Sequence, residues 1–291
     1  MFEEPIRFVQ DVIQRNRSVF DMLYGNYTFV NRALAKHYGM PGPPEPPVPV
    51  AVEVTAEAKA TKSAPEARST AVAKVRDDDW MRVDNADRYQ RGGLLPMAVF
   101  LAQGAPGLRT SPVKRGYWLV RRVLGEVIPP PPPVVPELPK DESTMILPVR
   151  ATLEKHRANP ACASCHARFD VFGLSFEGYG MVGETRTTDL AGRAVDTKAV
   201  FPGGMEGDGL KGVQAYIKER RQTGYLDNLS RKLLAYALSR SLMISDELTV
   251  ERTKMSLTAN DYRFGSMVEA IVTSPQFLNK RNASTIQKKG E

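Results

Sequence analysis

The apolar residues of this chain recur mainly three and four positions apart, which is the spacing of one face of an α-helix. This pattern predicts helices over residues 3–24, 28–38, 112–124, 145–158, 210–223, 226–242 and 262–273. The alternation typical of strands is weak, and it predicts only a small hairpin within 183–209 that turns at Ala191-Gly192. The predicted fold class is therefore mainly α, with helical segments joined by Pro-rich linkers and at most a small hairpin.

Two proline-rich stretches interrupt the helical pattern. Residues 41–79 consist largely of Pro, Ala, Val, Glu, Lys and Thr and contain no aromatic residue, so they are predicted to be a disordered insert. Five consecutive prolines at 129–133 predict an extended spacer. The predicted organisation is the end of a helical domain (1–40), the insert (41–79), a helical domain (80–128), a polyproline spacer (129–140), a C-terminal helical domain (141–278) and a flexible tail (279–291).

The most specific chemical signal is Cys162-Ala163-Ser164-Cys165-His166, which contains both cysteines of the chain and one of its three histidines. Three residues apart on a helix, the two sulfurs lie on one face. Cys-x-x-Cys-His is the attachment signature of c-type haem, in which two thioethers hold the porphyrin and the imidazole binds the iron. We predict covalent haem c on Cys162 and Cys165, with His166 as the proximal ligand. The other ring nitrogen of His166 is expected to donate to a carbonyl.

The ligand on the other face of the iron would decide the function. A methionine there suits electron transfer, whereas an open position permits peroxide or oxygen chemistry. Met205 is the first candidate, because it is predicted to lie in a glycine-rich loop, FPGGMEGDG, whose backbone can bend towards the iron; Met243 and Met181 follow. His156 is an alternative distal ligand, a partner for a haem propionate, or a histidine with only a structural role.

Three functions are compatible with the motif. The first is electron transfer by a covalently bound haem. The second is a haem-dependent redox enzyme, of the peroxidase or dehydrogenase kind, with an open distal site; whether the chain is an enzyme is left open. The third is a structural zinc site at Cys162 and Cys165, completed by His156 and His166. Adjacent Cys and His residues rarely bind one zinc ion together, which makes this alternative weaker.

Charge and hydropathy narrow the range of partners. The chain has 40 Lys and Arg against 33 Asp and Glu, a net charge of +7. The basic residues are interleaved with acidic ones, so a solvated surface is favoured over an interface with an acidic partner or a membrane surface, and no nucleic-acid partner is expected. No apolar run reaches the roughly 18 residues of a membrane span. The N-terminus, MFEEPIRFVQ, is acidic and amphipathic and does not resemble a signal peptide.

Several blocks of this sequence resemble one family. The family that they resemble is the planctomycete-type exported cytochrome-c-like multidomain proteins, which are built from serial domains of unknown function. The blocks are NYTFVNRALAKHYG, RGGLL, RTSPVKRGYWLVRRVLG followed by PPPPP, HRANPACASCHARFDVFGLSFEGYG, RKLLAYALSR and ANDYRF.

The resemblance, which is to the C-terminal portion of such proteins, implies haem c on Cys162 and Cys165 and iron ligation by His166. It also implies a periplasmic or otherwise exported location, although this chain shows no signal peptide of its own. The implied partners are a redox protein or other domains of a longer parent protein. The resemblance supplies a cofactor and not a substrate, because the activity of the family is not established.

Overall fold

The computed structural model describes residues 1–44, 79–130 and 138–279, and it is mainly α-helical, as predicted. Nearly all of the predicted disordered insert, the middle of the polyproline spacer and nearly all of the C-terminal tail lie outside the described residues. The helices are α1 Glu3–Gln14, α2 Asp21–Tyr24, α3 Arg32–Tyr38, α4 Ala98–Ala102, α5 Pro112–Trp118, α6 Val149–Arg157, α7 Pro160–Ser175, α8 Gly209–Tyr216, α9 Gln222–Leu238, α10 Glu247–Ala259, α11 Phe264–Val272 and α12 Pro275–Leu278.

Two helices continue into wider, π-helical turns. The turn Leu119–Val123 extends α5, and Ile217–Arg221 joins α8 to α9. Short 3₁₀ turns occur at Ala86–Tyr89, Glu142–Thr144 and Ile244–Asp246.

The described residues form two small antiparallel sheets. Strand β1 (Tyr27–Val30) pairs with β2 (Met81–Asp84), and β3 (Lys198–Phe201) pairs with β4 (Met205–Asp208) in a hairpin. The helix predicted over 28–38 is therefore wrong at residues 28–30, which belong to β1, and correct from residue 32 onward. Aromatic and β-branched residues form the strand, and Asn31 then begins α3 by accepting a hydrogen bond from the amide of Leu34 at 2.9 Å.

Two other predicted boundaries also differ. The helix expected over 3–24 is interrupted after Gln14, because Asn16 has a left-handed backbone (φ 48°) and Ser18 forms a β-bridge with Arg263. The turn expected at Ala191-Gly192 is present, but it carries a single bridge, from Thr188 to Ala194. The regular hairpin, β3–β4, lies just after it in the chain.

Arg32 joins the two ends of the first stretch that is not described. Its guanidinium donates to the carbonyl of Pro44 at 2.8 Å and to the carboxylate of Asp79 at 2.8 Å. Together with the β1–β2 pairing, this contact brings the chain on either side of residues 45–78 to one place.

Helices α5 and α7 cross at glycines, and this crossing places the Cys-x-x-Cys-His helix. A Cβ atom on Gly116 would overlap the carbonyl oxygen of Phe169, and one on Gly173 would overlap the carbonyl oxygen of Pro112. The C-terminal half of α7 is buried in the main apolar core, which contains Phe172. The N-terminal half, which carries the motif, remains partly exposed.

A buried arginine fixes the chain where α7 ends. Arg115 of α5 donates to the carbonyls of Phe176 (3.0 Å), Tyr179 (2.8 Å) and Gly180. Burial lowers the pKa of this guanidinium to about 10, and the nearby carboxylate of Glu177 opposes the shift. The hydrogen bonds to three carbonyls hold both the end of α7 and the segment that follows it.

Candidate haem-binding site

The motif lies in the first two turns of α7, directly after a helix cap. The side chain of Asn159 accepts a hydrogen bond from the amide of Ala161 at 3.0 Å, and Pro160 occupies the first turn. The preceding helix, α6, ends at Arg157. The chain therefore starts a new helix two residues before the first cysteine.

Cys162 and Cys165 are one helical turn apart in α7, so they share a face. Both thiols are free and both side chains are partly exposed. Cys165 also packs against the main core. The arrangement leaves two sulfurs accessible on one side of one helix.

His166 is held by a carboxylate and not by the expected carbonyl. Its Nδ1 lies 3.0 and 3.1 Å from the two carboxylate oxygens of Asp170, four residues further along α7. The side chain of Asp170 is fully buried, and that of His166 is 16% exposed. Because Nδ1 faces an acceptor, it carries the ring proton in the neutral imidazole. Nε2 is then deprotonated, and it makes no hydrogen bond with a described residue.

This pattern fits the requirements of haem c. Iron binds the unprotonated nitrogen of an imidazole whose other nitrogen donates to an acceptor. Nε2 of His166 meets that requirement, and two free thiols at the attachment spacing lie on the same helix. The donor atoms of Cys162, Cys165 and His166 are thus of the kinds that haem c requires, and the comparison extends to these atoms alone.

His156 lies at the end of α6 and touches His166. The two ring centroids are 4.7 Å apart, with the planes at 69°. Phe169 packs on another side of His166, at 5.0 Å. Since the two imidazoles are in direct contact, a porphyrin could enter between them only if α6 moved away. His156 as a distal ligand therefore stays a prediction that requires such a movement.

The three candidate methionines are placed differently from one another. Met205 is the first residue of β4 and packs against the main core, so it lies in a strand and not in a loop. Met243 is 54% exposed and follows the end of α9. Met181 is partly buried in the segment after α7. None of them is among the described ring and hydrogen-bond contacts of His166, and the distal ligand stays a prediction.

The arginines that flank the motif already have partners. Arg157 Nε lies 3.9 Å from a carboxylate oxygen of Asp170. Arg168 donates to Glu126 at 2.8 Å, and Glu126 also pairs with Arg221. These two bonds hold down the pKa of Glu126 despite its burial. A haem propionate would have to compete with these carboxylates for either arginine.

The zinc site predicted as an alternative has no preformed cluster of metal ligands among the described residues. Across residues 1–44, 79–130 and 138–279, no group of three or more His, Cys, Asp or Glu side chains is arranged to hold a metal ion. A cavity of about 170 Å³ lies beside α6, lined by Val149 and Leu174 together with charged side chains. It is too small for a porphyrin, and none of the motif residues lines it.

Asp170 is a site residue that does not stand out in the sequence. Its signal is His-x-x-x-Asp, because two residues four apart on a helix lie one above the other. Here His166 and Asp170 meet in this way within α7. The spacing alone does not separate a buried carboxylate from an exposed one.

The fold and the site define a mainly α-helical protein with a Cys-x-x-Cys-His sequence at the start of a half-buried helix. Three segments match families that are each described as a protein of unknown function: DUF1592 at 1–40, DUF1588 at 91–189 and DUF1585 at 203–277. These three domains are the serial domains of the planctomycete-type, cytochrome-c-like proteins, and the chain is similar to those proteins over the matched segments.

The Cys-x-x-Cys-His motif falls within the DUF1588 segment. Searches of curated proteins and of solved structures give no match. In the part of the chain that the structure describes, no helix has the length and apolar character needed to cross a membrane.

Proposed function

We propose that this chain binds haem c covalently through Cys162 and Cys165, binds the iron through Nε2 of His166, and transfers electrons. The observation that supports this most directly is the state of the three side chains. Two free thiols and an imidazole whose Nδ1 faces a carboxylate, and whose Nε2 makes no hydrogen bond with a described residue, occupy consecutive turns of one helix. The cytochrome-c-like family matches agree with a redox role.

Attachment needs no redox partner. Cys162 and Cys165 would each hold the haem by adding their S–H across one of its vinyl groups, with the sulfur on one carbon and the hydrogen on the other. Both thiols are partly exposed, so they can be reached from solvent. When bound, the haem would supply one-electron exchange between iron(III) and iron(II).

The partial exposure of α7 suits transfer to a second protein. An electron-transfer site must bring one edge of its cofactor close to the surface, and the motif half of α7 lies there. We propose that the electron partner is a redox protein or another domain of a longer parent protein. Covalent haem attachment normally takes place outside the cytoplasm, so we also propose an exported, periplasmic-type location.

The test is expression of the chain behind an export signal in a host that matures c-type cytochromes. The purified protein is expected to gain the mass of one haem and to show the reduced-minus-oxidised spectrum of a c-type cytochrome. Cys162→Ser and Cys165→Ser should each weaken attachment, and the double variant should abolish it. His166→Ala should leave the haem attached and change its spin state.

Ser164→Ala is the matched control, because it alters the motif interior but keeps both thiols and the imidazole. It should load haem like the parent chain. Absence of covalent haem in the parent chain would refute the proposal, and bound zinc in the same sample would support the structural alternative. Binding of cyanide or carbon monoxide to the loaded protein would indicate an open distal site and a haem enzyme.

A further inference from the structure

Asp170 is a buried carboxylate whose described polar contacts are with His166 and Arg157. Its side chain has no exposed surface, and both carboxylate oxygens lie within 3.1 Å of Nδ1 of His166. Arg157 approaches one of these oxygens more loosely, at 3.9 Å, and is itself 29% exposed. A buried carboxylate is costly unless it is hydrogen-bonded, so the bond to His166 is the main compensation that the fold provides.

We infer that Asp170 is a positioning residue that fixes the tautomer of His166 and lowers the reduction potential of an iron bound at Nε2. This inference rests on the proposed function. A hydrogen bond to an anionic acceptor is stronger than one to a neutral carbonyl, and it transfers more negative charge to the imidazole. A more electron-rich imidazole stabilises iron(III) relative to iron(II), which lowers the potential.

The location of Asp170 strengthens this effect. Water is excluded from the carboxylate, so its charge is poorly screened, and its distance from His166 is set by the backbone of a single helix. The helix is in turn fixed against α5 by the crossing of Gly116 and Gly173. Arg157 lies on α6 and offsets part of the negative charge from the other side.

The first experiment measures the midpoint potential of the haem-loaded chain by spectroelectrochemistry. Asp170→Asn keeps the size of the side chain and removes its charge, so the potential should shift to more positive values. Asp170→Glu restores a carboxylate and should return the potential towards that of the parent chain. Glu154→Gln is the matched control, because it removes one negative charge from the exposed face of α6 without touching His166. It should leave the potential unchanged.

The second experiment does not need haem. The chain has only three histidines, so ¹⁵N labelling of histidine gives few ring signals, and variants of His37 and His156 assign them. In the haem-free chain, the neutral ring of His166 should carry its proton on Nδ1. Asp170→Asn should move a fraction of it to Nε2.

The outcomes separate the two claims. If the parent chain loads haem but the midpoint potential of Asp170→Asn equals that of the parent, as that of Glu154→Gln should, the inference about Asp170 is wrong. The haem proposal then stands. If no haem is bound, the haem proposal fails, and the nitrogen spectra still decide the tautomer. A parent His166 protonated on Nε2 would overturn the inference even if Asp170→Asn does not fold.

Discussion

Glu4 is a second buried carboxylate, and its environment makes folding depend on pH. It is 1% exposed and accepts hydrogen bonds from the hydroxyls of Thr28 and Tyr38, both at 2.7 Å. Burial raises the pKa of Glu4 to about 7, although the two hydrogen bonds oppose the shift. Near neutral pH, the fold therefore holds this side chain partly as the uncharged acid.

The folded chain consequently binds the Glu4 proton more tightly than the unfolded chain. The stability that this group contributes is fully present below its ordinary pKa of 4.5 and is lost as the pH rises through about 7. The expected loss is up to about 3 kcal/mol in the free energy of unfolding. We predict that Glu4→Gln removes this decline, as measured by urea unfolding of the parent and the variant from pH 4 to pH 8.

Glu3→Gln is the control, since Glu3 is the exposed neighbour of Glu4 in the same helix. The difference in stability between Glu3→Gln and the parent should not change across this range. If the difference between Glu4→Gln and the parent is equally flat, Glu4 does not titrate in the way described.

At the level of single residues, the sequence identifies reactive side chains more readily than it shows which side chains are buried. Cys162, Cys165 and His166 stand out because their spacing in the chain is itself the signal. Asp170 and Arg115 do not stand out, because only the packing of α5 on α7 buries them. Arg115 follows Lys114 in a helix that also carries Arg121 and Arg122, a pattern that predicts a solvated charged face, whereas Arg115 is 3% exposed and bonded to carbonyls.

Among the helices, the crossing of α5 and α7 depends on the absence of side chains at the point of contact. Gly116 and Gly173 allow each backbone to approach the other more closely than a Cβ would permit. This crossing holds the motif helix to the remainder of the core. An added methyl group must therefore push the two helices apart.

We predict that Gly116→Ala destabilises the protein by about 3 kcal/mol or more, because the clash is with backbone and cannot be relieved by a rotamer change. The measurement is the free energy of unfolding by urea. The haem-loading assay on the same variant should show reduced attachment, since α7 loses its support.

Gly224→Ala is the matched control for this substitution. Gly224 lies in α9, and a Cβ there would make only ordinary contacts, the closest at 3.7 Å to the carbonyl oxygen of Leu124. Alanine should stabilise this helix by up to about 1 kcal/mol. Equal effects of the two substitutions would show that helix propensity, and not the crossing, explains the result at Gly116.

The regular elements were predictable to the extent that their signals are local. The helices α6, α8, α9 and α11 follow from their apolar spacing, whereas α7 and α10 are not among the predicted helices and most of β1 falls within a predicted helix. Its partner β2 lies far along the chain, with Tyr27 opposite Asp84, and no local pattern shows that pairing. The hairpin β3–β4 is not predicted at its observed position, because its glycine-rich turn and second strand have the composition of a loop.

In the molecule as a whole, the N-terminal segment is joined to the C-terminal helices. The amide of Val19 donates to the carbonyl of Tyr262 at 2.8 Å, and the hydroxyl of Tyr225 donates to the carbonyl of Val19 at 3.0 Å. The main core also contains residues from both ends, including Phe8 and Ile271. The predicted division into domains stays a prediction, but the described core continues across its boundaries.

We predict that the haem-free chain unfolds as one cooperative unit. It has two tryptophans. Trp80 packs with the smaller cluster around Val30 and Leu34, and Trp118 stacks on Phe100 against the main core. The single-tryptophan variants Trp80→Phe and Trp118→Phe should therefore give unfolding curves by fluorescence with the same midpoint as the helical signal.

Each variant serves as the control for the other, because both lose one aromatic ring and gain a phenylalanine. Separate midpoints for fluorescence and circular dichroism within one variant would mean that its region unfolds independently. A lower fluorescence midpoint for the chain that retains Trp80 would assign the early step to the smaller cluster.

The contact of Arg32 with Pro44 and Asp79 has a consequence for how this sequence can evolve. Pro44 and Asp79 meet at one guanidinium, so the number of residues that connect them can change at little cost: for a flexible connection, the entropy of closure rises only logarithmically with length, by about 0.6 kcal/mol for each doubling. Related genes can therefore insert, delete or rewrite residues between these two anchors while the helices on either side keep their places.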